Sequence, residues 1–80
     1  MYNIWFCKII SKDNKEISGI GALEYMQVMY EEIDKKELEK YAISICKELN
    51  YSYKGIIDDR YCLFDNNKEY CLFFEELLEE

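Results

Sequence analysis

The sequence predicts a single α+β domain, an antiparallel sheet of about four to five strands packed by one or two helices. Three observations predict it. Short runs rich in Ile, Tyr, Phe and Cys recur between turn-forming Asp and Asn residues, as strands do. One stretch carries apolar residues at helical spacing behind a capping signal. Finally, 80 residues, 50% hydrophobic and 16% aromatic, supply one core and no more, so the domain is expected to span residues 1–80.

Residues 2–10 read as a strand, β-branched and aromatic, that ends at the turn-like stretch 11–15. Residues 16–20 read as a returning strand, weakened or ended by Gly19 and Gly21. Residues 22–33 carry two patterns. Leu23, Met26, Tyr30 and Ile33 follow helical spacing among good helix formers, while Met26, Val28 and Tyr30 alternate as a strand would. The helical pattern is the one adopted.

Residues 34–49 give the clearest helix. Asp34 and Glu37 form a capping-box pattern, and Leu38, Tyr41, Ala42, Ile45 and Leu49 recur on one face. Asn50 is a natural stop, because Asn tolerates the left-handed backbone of a helix end. Strands are then expected at 51–57, 60–64 and 69–74, with Asp58 and Asp59 in the first turn and residues 65–68 in the second. The tail 75–80 is acidic and reads as a single helical turn.

The motif Tyr61-Cys62-Leu63-Phe64 recurs as Tyr70-Cys71-Leu72-Phe73, which fits the two arms of one hairpin. If Asn66 and Asn67 form a two-residue type I′ loop, Cys62 faces Cys71 at a non-hydrogen-bonded site, close enough for a disulfide. A helix over the second arm, capped by Asn66 with Glu69 three residues on, competes with the strand; the Tyr, Cys and Phe content favours the strand.

The chemistry is bounded by what the chain lacks. It contains no His, Pro or Thr. Without His, the Ser-His and Cys-His nucleophile pairs and His-ligated zinc are excluded. Cys7, Cys46, Cys62 and Cys71 form no Cys-x-x-Cys pair and are expected as buried free thiols, the Cys62–Cys71 disulfide being the alternative. Asp65, Asn67, Glu69 and Glu76 match ligand positions of a calcium loop, but Tyr70 stands where that loop requires Gly. Asp58, Asp59, Asp65 and Glu69 resemble a magnesium-binding group, yet no Gly-rich phosphate cradle or Walker lysine accompanies them. No catalytic residue, metal or cofactor is expected.

Charge carries the strongest signal. The net charge is -7, and Arg60 is the only Arg, so direct binding to nucleic acid or an anionic membrane is disfavoured and a basic protein partner favoured. Residues 1–57 hold nine acidic and eight basic groups, a net of -1; residues 58–80 hold eight and two, a net of -6. The expected partner-binding residues are therefore Asp58, Asp59, Asp65, Glu69, Glu75, Glu76, Glu79 and Glu80, with Tyr61 and Tyr70 beside them. Tyr is enriched at interface cores, and eight Tyr is many for this length.

The functional expectation is a non-enzymatic inhibitor or regulator that occupies the basic nucleic-acid-binding surface of a larger effector. Small size and acidity are shared with phage anti-CRISPR and anti-restriction proteins, some of them DNA mimics; this is analogy of profile, since no motif identifies a family. The alternative is an assembly protein that forms a homodimer through aromatic surface. The codon-driven richness in Ile, Lys, Asn and Tyr points to a low-GC bacterium, its phage or a plasmid. No leader pattern opens the sequence and no apolar run reaches membrane-spanning length, so the expected location is cytoplasmic.

Overall fold

A computed structural model describes residues 1–10, 23–65 and 69–78. The elements are β1 (Tyr2–Ile9), β2 (Leu23–Ile33), a 3₁₀ turn (Lys35–Glu37), α1 (Leu38–Leu49), β3 (Tyr53–Ile57), β4 (Tyr61–Phe64) and β5 (Tyr70–Glu76). The strands form one sheet in the order β2-β1-β5-β4-β3, with every neighbouring pair antiparallel. The predicted α+β class holds, with one α-helix among the described residues.

The helix lies on one face of the sheet because its apolar residues form one stripe. Leu38, Ala42, Ile45 and Cys46 are buried against Ile4 of β1, Cys62 and Phe64 of β4, and Leu72 and Phe74 of β5. Its end follows from Asn50. That residue is left-handed (φ 60), the Asn50 N–H donates to the Lys47 carbonyl, and the Tyr51 N–H donates to Cys46 at 3.0 Å. This is a Schellman closure, and Tyr51 folds back onto the core. The start differs from expectation. Asp34 precedes the 3₁₀ turn and its carbonyl accepts the Glu37 N–H at 2.9 Å, but its side chain makes no capping bond. Tyr53 ties β3 to the helix by donating to Glu39 at 3.1 Å. Burial first and this bond second push the Tyr53 phenol up to about 12.

Three sequence readings need correction. Residues 23–33 are a strand and not a helix. Three register shifts against β1 each add a residue to β2, so that Tyr30 pairs with Ile4 and Ile33 with Tyr2. Two core-facing residues thus stand three apart, which imitates helical spacing. Glu32 between them has φ 55, and its N–H donates to Asn3 Oδ1 at 3.1 Å.

Second, the β4–β5 register is one residue away from the deduced one. Cys62 pairs with Leu72 and Leu63 with Cys71, so Cys62 and Cys71 point to opposite faces and cannot be bonded. Third, Glu75 and Glu76 belong to β5, not to a helical turn. Tyr2 pairs with Glu76, and the Leu77 N–H donates to the Met1 carbonyl at 2.8 Å, which continues the ladder. The expected strand at 16–20 and the hairpin tip at 66–67 lie outside the described residues.

Among the described residues no helix is long and apolar enough to cross a membrane.

Candidate functional site

The face opposite α1 carries Trp5, Cys7 and Ile9 of β1, Leu23 and Tyr25 of β2, Tyr61 and Leu63 of β4, and Cys71 and Phe73 of β5. Among the described residues no helix packs on it. Four rings run across it. Trp5 to Tyr25 is 5.3 Å between centroids, Tyr25 to Phe73 is 5.5 Å, and Phe73 to Tyr61 is 5.7 Å, all tilted as aromatic pairs prefer. Tyr25 stands opposite the small Cys7, and its ring leans over β1 to meet Phe73 of β5. It remains 50% exposed.

At one end of this ladder lies an acidic corner. The turn after β3 places Asp58 and Asp59 with positive φ (54 for each), and the Arg60 N–H closes it onto the Ile57 carbonyl at 3.0 Å. Positive φ at two successive residues is the backbone of a type I′ turn, which Asp tolerates better than most residues. The Phe74 N–H then donates to the Arg60 carbonyl at 2.7 Å. That bond sets the turn beside the end of β5, where Glu75 and Glu76 stand. A cavity of about 460 Å³ results at the end of the sheet, lined by Tyr25, Phe73, Asp58, Asp59, Arg60, Glu75 and Glu76 together with Tyr2 and Phe74 of the helix-covered face.

Glu75 is held in place. Its Oε1 accepts from Trp5 Nε1 at 3.0 Å and from Asn3 Nδ2 at 3.3 Å. Asn3 is fixed in turn by the Glu32 N–H on its Oδ1. The bulge in β2, the Asn3 amide and the Trp5 indole therefore orient one carboxylate. Tyr25 senses it: burial first, then the Cys7 thiol, Glu75 and Tyr61, push its phenol above the usual range. Asp59 also meets Lys35 at 3.3 Å, an exposed pair that contributes little.

The predicted partner-binding residues divide. Asp58, Asp59, Glu75 and Glu76 share the corner, with Tyr61 on the ring ladder next to it. Asp65 and Glu69 lie at the far end of the β4–β5 hairpin, since Glu69 to Glu76 spans roughly 23 Å of extended chain. Tyr70 belongs to the helix-covered face, where it stacks on Phe6 at 5.1 Å. Glu79 and Glu80 lie outside the described residues. The calcium-loop candidates also separate, because Glu69 and Glu76 are at opposite ends of one stretch of extended chain. Among the described residues no three ligating side chains converge as a metal cluster would. Sequence reasoning missed Asn3, Trp5, Tyr25 and Phe73. The three rings were signalled only by aromatic content and Asn3 by nothing, because the contacts that join them to the site run between residues up to 72 apart in sequence.

Cys7, Cys46, Cys62 and Cys71 are free and buried. Cys7 and Cys71 stand directly opposite each other on β1 and β5. The Ile9 N–H to Glu69 carbonyl bond fixes the phase of this ladder and makes theirs a hydrogen-bonded site, where side chains are farther apart than a disulfide prefers. Burial pushes the Cys7 thiol up to about 11. Burial, and then Cys7 itself, push Cys71 up to about 12. Burial likewise raises Cys46 and Cys62. Neutral, buried thiols pack as small hydrophobes and are poor nucleophiles.

No protein-family model, curated protein or solved structure matches the chain.

Proposed function

We propose that the protein is a non-enzymatic binding module that docks its acidic corner on a basic surface of a larger protein. In its sharper form the proposal is an inhibitor of a nucleic-acid-binding effector, with the corner occupying the site that receives phosphates. The observation that carries it is the convergence of Asp58, Asp59, Glu75 and Glu76, from a turn and a strand end, around one cavity with aromatic walls. Four acidic residues and a single Arg line it. Such a surface steers a basic partner toward itself and rejects acidic ones.

The test is affinity capture from host lysate with the wild-type chain and with Asp58→Asn/Asp59→Asn/Glu75→Gln/Glu76→Gln. The partner is expected to bind the wild type at low salt, to weaken as salt rises, and to be displaced by duplex DNA. The neutral variant is expected not to retain it. Retention by that variant, or indifference to both salt and DNA, contradicts the proposal.

The half-covered ring ladder favours a second reading, a homodimer that buries Trp5, Tyr25, Tyr61 and Phe73. Sedimentation at two concentrations separates the two, since only the homodimer dissociates on dilution.

A further inference from the structure

We propose that the corner is a receptor for one arginine side chain of the partner, its guanidinium stacked on Tyr25 and Phe73 and hydrogen-bonded by Glu75 Oε2. This rests on the reading of the corner as an acidic docking site and names the group that enters it.

Three features of the site fit a guanidinium. The first is a pair of rings on the cavity wall. Tyr25 and Phe73 line it, with centroids 5.5 Å apart, and Tyr25 is half exposed. Ring faces attract cations, Arg most often. The second is the oriented carboxylate. Both bonds that hold Glu75 use Oε1, and among the described residues Oε2 receives none. An acceptor already aligned loses little entropy when a donor arrives. The third is the surrounding charge. Asp58, Asp59 and Glu76 add negative field around the same cavity, and among the described residues Arg60 forms no ion pair with any of them.

The occupant is arginine and not lysine because this site sets aromatic rings beside a fixed acceptor. A planar guanidinium stacks and donates at once, whereas an ammonium is a strongly hydrated point charge. The occupant is not a second copy of this chain. A two-fold interface with its axis at the corner would set the acidic residues against their own image, a like-charge contact. A copy could also offer only Arg60, which already lines the cavity.

Trp5 is the only Trp, and its indole N–H bonds to Glu75, so it reports on the site directly. The experiment titrates the ¹⁵N-labelled full chain with a ten-residue peptide alternating Gly and Arg, and separately with its Gly–Lys counterpart of equal charge. The Arg peptide is expected to shift the Trp5 indole resonance and to bind about five-fold tighter than the Lys peptide. Tyr25→Ser should remove that preference. Glu75→Gln, which keeps the acceptor for Trp5 and Asn3, should weaken the Arg peptide and serves as the second variant if Tyr25→Ser fails to fold.

Equal affinities with an unmoved Trp5 resonance overturn the arginine receptor. If Asp58→Asn/Asp59→Asn/Glu76→Gln still weakens both peptides in that case, acidic docking stands and only the receptor fails. If neither peptide binds and the neutral corner variant keeps the natural partner, both fail together. A dimer that buries Trp5 also overturns the receptor.

Discussion

The two faces of this sheet are made from nearly the same residues and end in different states. Under α1, Ile4, Cys62, Phe64, Leu72 and Phe74 are sealed. On the other side Cys7 and Cys71 are sealed too, but the rings around them are only half covered and Tyr25 is exposed. The repeated Tyr-Cys-Leu-Phe motif makes the contrast sharp. In β4 it turns Cys62 and Phe64 toward the helix; in β5, one residue out of phase, it turns Cys71 and Phe73 away. Identical side chains thus pack beneath the helix from one strand and on the helix-free face from the other. The register and the presence of a helix decide which, and composition does not.

The largest way to break the comparison is to truncate one ring on each face. Phe74→Ala should cost about 3–5 kcal/mol and move the denaturation midpoint far down, because it opens a cavity under the helix. Tyr25→Ser should cost less, about 1–2 kcal/mol, because it loses two ring contacts at a half-exposed site and opens no sealed cavity, while losing partner binding. Equal destabilisation by the two would mean that the helix-free face is also a closed core.

A thiol reagent reads the same contrast chemically. At pH 8 none of the four native thiols should react within the time of the assay, being buried and protonated. Trp5→Ala should open Cys7 and Cys71 to reagent and leave Cys46 and Cys62 silent, since only the first pair lies on that face. The same thiols set an alkaline limit. From an ordinary value of 9.0, Cys7 rises to about 11 and Cys71 from 9.0 to about 12 in the fold. Above pH 9 the unfolded chain therefore releases these protons first. Their contribution is complete below pH 9 and should be lost as pH climbs through 11 to 12, visible as a falling denaturation midpoint.

The smallest effect concerns the corner itself. Asp59 sits at φ 54, a backbone that Gly adopts without strain. Asp59→Gly should raise stability by about 0.5–1 kcal/mol while weakening the partner. A gain in one with a loss in the other would show that this turn is selected for contact more than for stability.

Much of the fold was legible because local rules and tertiary packing agree. The α1 stripe, the Asn50 stop and the aromatic runs of β1, β4 and β5 all read as they fold. β2 was misread because its bulges give Tyr30 and Ile33 helical spacing. The Cys62–Cys71 pairing was misread because a one-residue shift of register puts the two thiols on opposite faces. The acidic half of the site was visible as a charge imbalance, but as one patch. Only the sheet shows that Asp58, Asp59, Glu75 and Glu76 meet while Asp65 and Glu69 stand a strand away. The aromatic half was invisible, because Asn3, Trp5, Tyr25 and Phe73 come from three strands whose partners no local pattern names.

That division of the acids is the most direct test of the account. The measurement is the partner's Kd, at low and moderate salt, for the wild type and two neutralised variants. Asp58→Asn/Asp59→Asn/Glu75→Gln/Glu76→Gln should weaken binding at least about 100-fold and flatten its salt dependence. Asp65→Asn/Glu69→Gln, at the opposite end of the sheet, should change it by less than about three-fold. Equal losses from the two ends, or a larger loss from Asp65 and Glu69, would contradict a site at the corner.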